Sequence, residues 1–376
     1  MSSQNVKLII PEKERAKIER ILIIGSIGIG NLLLFSSTLR RIKLLFPNSK
    51  IDVIVLKQSF IPLYQSEDAV NEILVLDVDR TKSIGQKIEF IIKLRRNKYQ
   101  LCVTTFPANR AEYNVLAFLS GAKWRLAHKY ELKRVKSLSF LQNLKIPVDN
   151  GKHDLEQNFN LLKVFNTEIS DEDKKIYMNI PKEAEIIAEE FIEKNDLKDS
   201  LLVGMHPGSS AERGMDLKRW PAEYFAEICS WLKSKYDAEV LLFGGPEELD
   251  LRIDIRERSE TDPLIVEGLS LLESAGLIRK CSLFLTNDSG LMHISVAMGT
   301  KAVSVFGPSD PGRTAPYGKD HKVVRTNIHC SPCWSINNLG VGWIKCIQPD
   351  NICLKDLTPD LIKPELEKEL GRKIKD

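Results

Sequence analysis

Leu283 to Pro311 reads LFLTNDSGLMHISVAMGTKAVSVFGPSDP. It opens as an apolar strand, breaks at Asn287-Asp288-Ser289-Gly290, and restarts as a helix to about Met298, which Gly299 closes. A second apolar run, Ala302 to Phe306, ends at the turn Gly307-Pro308. Strand, polar loop, helix, strand is one βαβ unit of a parallel sheet. In such sheets ligands sit outside the carboxyl ends of the strands, where the next helix begins. Asp288, Ser289 and Gly290 occupy that place.

The residues before this stretch repeat its logic. An apolar strand, Leu201–Met205, leads to His206-Pro207-Gly208-Ser209-Ser210. Lys218-Arg219-Trp220-Pro221 then opens a helix over Ala222–Tyr236, with Pro221 in the first turn, where its missing donor is harmless. A strand over Glu239–Phe243 ends in Gly244-Gly245-Pro246-Glu247-Glu248. Each polar loop follows a strand, so all three lie along one sheet edge. Ser209 and Ser210 offer hydroxyls, Lys218 and Arg219 positive charge, and Gly290 the open amides of a helix start. Amides and cations at one edge suit a diphosphate. Glu247 or Glu248 suits the hydroxyls of an attached ribose, and His293 lies one turn into the helix. Singly, each has a plainer explanation. Asp288 or Ser289 can be an N-cap, His293 a packed helix histidine, and Lys218 to Pro221 a helix-start box. Three such corners in sheet order point to a nucleotide-diphosphate site.

The first half opens with a βαβ unit of its own: strand Ile21–Ile24, the loop Gly25-Ser26-Ile27-Gly28-Ile29-Gly30-Asn31, a helix over Leu32–Phe46 and strand Ile51–Leu56. The loop lacks the third glycine of a dinucleotide fingerprint, with Leu33 in its place. Leu56-Lys57-Gln58 supplies no acid for ribose. A loop that lets an acceptor or phosphate approach the helix start fits better. Strands are expected at Glu72–Leu76 and Leu101–Thr105, and helices over Ile84–Arg96 and His153–Phe165. From Lys93 to Lys136 the chain is basic: Lys93, Arg95, Arg96, Lys98, Lys123, Arg125, Lys129, Lys133, Arg134 and Lys136, interleaved with Trp124, Tyr130 and Leu132. This is either a solvated face or a surface for anionic lipid head groups or a phosphorylated glycan.

Length and composition agree. A chain of 376 residues exceeds one ordinary core and implies two domains. The expected division is a polar arm (1–20), an N-terminal Rossmann-like domain (21–185), a second such domain (186–360) and a closing helix (361–376). Net charge is +3, which argues against a nucleic-acid partner. No apolar run approaches the ~20 residues of a membrane span. The mixed, charged first twenty residues carry no apolar signal core, so the expected location is the cytoplasm. Among seven cysteines, Cys330-Ser331-Pro332-Cys333 with Cys346 and Cys353 could supply a tetrahedral zinc site. The six-residue spacing of the second pair also fits buried thiols or a disulfide, and no cofactor is the expectation.

HPGSS, KRWPAEYFAEI, LLFGGPEE, LTNDSGLMHISVAMGTKAVSVFGPSDP and CSPC, in that order, resemble glycosyltransferase family 9, the heptosyltransferases of lipopolysaccharide core assembly and their relatives. ILIIGSIGIGNLLLFSSTLRRIKLLFPNSKIDVIV resembles that family's N-terminal βαβ unit. The likeness covers about residues 20–360 and is weakest over 60–180. It implies a GT-B fold, two Rossmann-like domains facing a central cleft, with acceptor in the first and donor in the second. It further implies metal-free, inverting transfer from a nucleotide sugar, ADP-heptose in the best-known members, to a lipopolysaccharide-core or other envelope glycan at the inner membrane. Carried over by motif, Lys218 would neutralise the diphosphate, and Ser209 and Ser210 would bond its oxygens. Glu247 or Glu248 would meet the ribose, while Asp288, Ser289, Gly290 and His293 would hold the diphosphate-sugar end. The last helix would cross back to the first domain, as GT-B folds often have it.

One position departs from the family. Its N-terminal loop usually reads Gly-Asp, the aspartate serving as base; here the pair is Gly30-Asn31. An amide takes no proton near pH 7, so Asn31 positions the acceptor, or another group acts as base, with His128, His153 and the N-terminal domain's carboxylates as candidates, or the enzyme is slow or inactive. The alternatives are another GT-B sugar-nucleotide enzyme such as an epimerase, a non-catalytic sugar-nucleotide or glycan binder, and a dinucleotide oxidoreductase.

Overall fold

The computed structural model describes residues 9–77, 83–108, 110–130, 137–167, 170–210, 212–334, 345–348 and 350–373. The chain divides into two compact units, Met1–Asn179 and Ile180–Asp376. The first strings together α1 (Glu12–Arg15), β1 (Arg20–Ile24), α2 (Ile29–Leu33), α3 (Ser36–Leu45), β2 (Lys50–Val55), β3 (Glu72–Val75), α4 (Ile84–Arg96), β4 (Leu101–Thr104), α5 (Ala111–Leu119), β5 (Trp124–Lys129), β6 (Leu144–Pro147) and α6 (Asp154–Asn160). The second contains α7 (Lys182–Lys194), β7 (Leu202–His206), α8 (Ala222–Tyr236), β8 (Glu239–Leu242), α9 (Leu249–Arg258), β9 (Leu264–Ile265), α10 (Leu271–Lys280), β10 (Leu283–Asn287), α11 (Gly290–Ala297), β11 (Ala302–Val305), α12 (Pro311–Thr314), β12 (Lys322–Val324), α13 (Ile352–Lys355) and α14 (Pro359–Lys373).

Both sheets are six-stranded, parallel throughout, and wound alike. The first runs β3-β2-β1-β4-β5-β6 and the second β12-β11-β10-β7-β8-β9. Counted from each unit's own first strand, both follow the doubly wound Rossmann order. Helices on both faces explain why the strands are unbroken apolar runs rather than alternating ones. Ile21 to Ile24 and Leu283 to Leu285 are all fully buried or nearly so. Each sheet reverses direction at one switch point, β1/β4 in the first unit and β7/β10 in the second. Those are the places a ligand is expected.

Several expectations need correction. Residues 9–20 are no loose arm. Ile10 and Ile18 are buried, the Ile10 amide donates to Val164 O (3.0 Å), and Arg15 Nη1 donates to Phe165 O (2.7 Å). The helix read over 32–46 starts earlier and breaks into α2 and α3, where Asn158 Nδ2 donates to the Leu34 carbonyl. The helix expected over 153–165 is α6 followed by a 3₁₀ turn, with His153 as N-cap. The basic run is not one face. Leu126, Ala127 and His128 are the buried centre of β5, and Arg125 is tied to the carbonyls of Ala122 and Leu141. Leu132, Lys133, Arg134 and Lys136 lie outside the described residues. The closing helix α14 puts Ile362, Leu366 and Leu370 into the second unit's own core beside α8. No described helix is long and apolar enough to cross a membrane.

Candidate functional site

The second unit's switch point is assembled around Asn287, the last residue of β10. Its side chain is fully buried. Nδ2 donates to the carbonyls of Pro207 (2.6 Å) and Gly208 (3.3 Å), and Oδ1 accepts from the Trp220 amide (3.0 Å). One amide therefore fixes the loop after β7, the entry to α8 and the end of β10 together. Trp220 is sealed beneath, its indole donating to Leu357 O at 2.6 Å.

His206 ends β7 and connects the other two corners. Nδ1 lies 2.8 Å from Ser289 Oγ and Nε2 lies 3.0 Å from Glu248 Oε2. Glu248 also accepts from the Gly245 amide at 3.1 Å, and Arg219 Nη2 stands 3.8 Å from Oε1. Burial pushes the Glu248 carboxyl up. The His206 hydrogen bond and charge, the Gly245 amide and Arg219 outweigh it and hold the group below its ordinary value. Gly208 packs straight onto this carboxylate, so a Cβ there would collide with Glu248. Glycine is required here for close approach, not for an unusual backbone angle.

The third feature is a cation beside a helix start. Lys218 Nζ lies 2.8 Å from Asp288 Oδ2, and its ammonium stands 5.5 Å from the centre of the Trp334 ring. Burial raises the Asp288 carboxyl, but Lys218, by charge and hydrogen bond, and His293, by charge, pull it below the usual aspartate range. Helix α11 begins at Gly290, and its N-cap residue Ser289 makes no side-chain bond to the first turn. The Ser289 hydroxyl is turned to His206 instead. The first-turn amides thus keep their capacity for an anion, and the helix dipole adds to it.

The structure brings Lys218, Glu248, Asp288, Ser289 and Gly290 together, with His293 buried one turn into α11. It gives the remaining candidates other surroundings. Ser209 is buried, and its hydroxyl donates to Met215 O at 3.0 Å, holding its own loop closed. Ser210 is exposed at the loop's end, and Glu247 is exposed where its neighbour Glu248 is not. Of the two glutamates, only the outer one is open to solvent. Sequence reasoning assigned no role to His206, Asn287 or Arg252. Arg252 is buried and braces the loop after β8, donating to Val266 O (2.6 Å) and Gly245 O (3.1 Å). A polar residue closing an apolar strand was the available signal for the first two; nothing local marks Arg252.

At the first unit's switch point, Asn31 Nδ2 donates to Ile27 O at 2.8 Å. Gly28, with φ of 109°, sets the turn between them. The Ser26 amide donates to Thr105 Oγ1 (2.8 Å) and the Ile27 amide to Tyr113 Oη (3.2 Å), so the loop is pinned to β4 and α5. Neither histidine proposed as a base stands open here. His128 is buried against Phe106 and Gln157 O, and burial lowers its pKa to about 4. His153 caps α6, Nδ1 accepting from the Leu155 amide at 3.2 Å.

Cys330, Cys333, Cys346 and Cys353 line one small pocket. Burial and then the neighbouring thiols raise Cys353 to about 11, and raise Cys333 in the same way. Among the described residues no three His, Cys, Asp or Glu side chains are grouped to hold a metal ion.

Lipooligosaccharide heptosyltransferase 2 of Campylobacter jejuni subsp. jejuni serotype O:6 is 32% identical over 173 residues, 44% of this chain and 51% of that protein. The chain thus matches about half the length of that relative. Lipooligosaccharide heptosyltransferase 2 of Haemophilus ducreyi is 26% identical over 373 residues, covering 94% of this chain and 99% of that one. The solved structure of Escherichia coli ADP-heptose LPS heptosyltransferase II superposes with a TM-score of 0.72 at 22% identity, over 94% of this chain and 99% of that one. That likeness shows the fold, which is GT-B. The sequence model of glycosyltransferase family 9 (heptosyltransferase) runs through residues 89–343, and the chain belongs to that family.

Proposed function

We propose that this chain is an inverting glycosyltransferase that moves a heptose-like sugar from a nucleotide-diphosphate donor to a lipopolysaccharide-core or other envelope glycan. The observation that carries the donor half is the uncapped start of α11 beside the Lys218–Asp288 pair. A diphosphate set there meets an ammonium and a helix dipole pointing the same way. Charge grows on the leaving diphosphate as the sugar–oxygen bond breaks. Groups already fixed in place stabilise that charge without reorganising. Asp288 and the Trp334 ring hold the Lys218 ammonium in position. Glu247 meets the ribose, and Glu248, inside, keeps His206 and Ser289 in register. ADP-heptose is the donor favoured, since it is named for the Escherichia coli structure of the same fold. The two relatives named for lipooligosaccharide heptose transfer supply the acceptor class.

In this reading Asn31 orients the acceptor hydroxyl through Oδ1 while its amide nitrogen holds Ile27. An oxocarbenium-like transition state tolerates late proton loss, so an orienting amide suffices, at a rate penalty of ~10²–10⁴. The same hydrogen bond favours a second reading, a donor-binding relative without transfer activity. The test is calorimetric titration with ADP, GDP, UDP and CMP, followed by an assay of ADP release from ADP-heptose with and without acceptor. Binding of ADP that Lys218→Ala weakens supports the donor site; no binding of any nucleotide overturns it. Acceptor-dependent ADP release supports transfer, and its absence supports the second reading.

A further inference from the structure

Helix α4 of the first unit commits little of itself to the core. Of its thirteen residues only Leu94 is buried, with Phe90 and Ile91 half-buried against the same core. Ile84, Ile88 and Ile92 are 76%, 54% and 45% exposed. Four-residue spacing puts them on one stripe, about 12 Å long from first to last Cα. Isolated exposed isoleucines need no explanation, but a stripe of three along one helix does.

The surroundings say what would cover it. Lys87, Lys93, Arg95, Arg96 and, just beyond the helix, Lys98 are all exposed. Against them the helix sets one acid, Glu89. Lys93 is paired with Glu72 at 2.7 Å, and Arg95 Nε donates to Leu119 O at 3.1 Å, which fixes two of the cations in place. An open groove runs beside the stripe, lined by Val75, Leu76, Ile88, Phe90, Lys93 and Arg96. Gln86, Glu89 and Asn97 line it too, so the groove carries apolar, polar and charged side chains together. β3, which supplies Val75, is an edge strand. Three isoleucines flanked by cations, on a helix only weakly anchored to its own core, match a helix lying in the interface of an anionic bilayer.

We propose that α4 docks the first unit onto a bilayer containing anionic lipid, Ile84, Ile88 and Ile92 entering the acyl boundary and Lys87, Lys93, Arg95 and Arg96 meeting head groups. This deepens the acceptor half of the reading above, because an envelope glycan acceptor is carried on lipid. It makes no use of the donor site.

The test uses the full chain and sedimentation with vesicles of phosphatidylcholine alone or with 30 mol% phosphatidylglycerol. The expected result is partitioning to the anionic vesicles that falls at least tenfold in Ile84→Ser/Ile88→Ser/Ile92→Ser and at least threefold when NaCl rises from 0.1 to 0.5 M. Equal binding to both vesicle types, equal binding by the triple variant, or no binding overturns it. So does a stripe that serves a second copy of the chain, seen as a dimer in sedimentation velocity that the same substitutions dissolve without any vesicle binding. Circular dichroism and ADP titration of the triple variant keep the result readable. Both should match the wild type, since none of the three side chains is buried. Failure of ADP binding in both proteins would count against the donor site and leave this inference standing.

Discussion

Lys218 Nζ and Asp288 Oδ2 lie 2.8 Å apart with both side chains largely withdrawn from water, at the mouth of an uncapped helix. A pair so placed is costly to break from one side, because the partner stays buried and charged. Lys218→Ala is expected to destabilise the protein by about 3 kcal/mol and to weaken ADP by roughly 10- to 150-fold, the worth of one charge-assisted bond. The carboxyl of Asp288 sits below its ordinary 3.8 in the folded chain. Its pairing therefore stabilises above that pH and is lost as pH falls through the lower, folded value. Urea denaturation at pH 7 and at pH 3 measures this: the gap between wild type and variant should be full at pH 7 and smaller at pH 3. An equal gap at both would show that the pair is not what the variant removes.

Gly208 tests the inner network without adding or removing a charge. A methyl group at this position falls on the Glu248 carboxylate, which His206 and the Gly245 amide hold in place. Gly208→Ala should cost about 1–3 kcal/mol of stability as overpacking. It should also weaken ADP, because His206 and Ser289 lose their register. Gly299→Ala is the control: φ is 78° there but a Cβ meets nothing within 4 Å. That variant should lose stability through backbone strain alone and keep ADP affinity. Equal ADP affinity in both variants would detach the His206 network from the donor site.

Asn31→Asp separates the two readings of the first unit. An aspartate cannot donate to Ile27 O, so the loop loses its 2.8 Å bond and stability should fall by about 1–3 kcal/mol. If transfer is limited by the missing base, acceptor-dependent ADP release should rise by ~10² or more and acquire an ascending limb at acidic pH. A stability loss with no gain in rate would mean that the amide is there for the loop.

The repeated βαβ units were legible because parallel strands buried on both faces leave uninterrupted apolar runs such as Ile21–Ile24 and Leu283–Leu285. The corner at the second switch point was legible as a cluster of polar loops because glycine, lysine and aspartate punctuate those runs. What the sequence hid was contact between distant positions. Glu247 and Glu248 are adjacent and chemically alike, yet one faces solvent and the other closes onto His206, 42 residues earlier. Arg252 is one of three arginines in α9 and nothing in the sequence sets it apart, yet it is buried as a brace for the Val266 and Gly245 carbonyls. Ile10 and Ile18 fell in the stretch read as a polar arm, because the short run Leu8-Ile9-Ile10 and a lone isoleucine among charges at 18 set no helix or strand period. The segment is held by the carbonyls of Val164 and Phe165, which the chain reaches only much later.

His128 makes the last prediction, one about stability. It is buried on β5, Nε2 donating to Gln157 O at 3.0 Å, and burial depresses its pKa to about 4 from an unfolded value of 6.5. Between those two values the unfolded chain binds the proton and the folded chain does not, so stability rises with pH across that window. The contribution is complete above pH 6.5 and lost as pH falls to about 4, amounting to about 3 kcal/mol over the whole range. His128→Gln keeps an amide donor for the Gln157 carbonyl and cannot titrate. Its stability, followed by urea denaturation from pH 4 to 7, should therefore vary less steeply than the wild type's. A variant as steep as the wild type would mean that His128 takes its proton without leaving the fold.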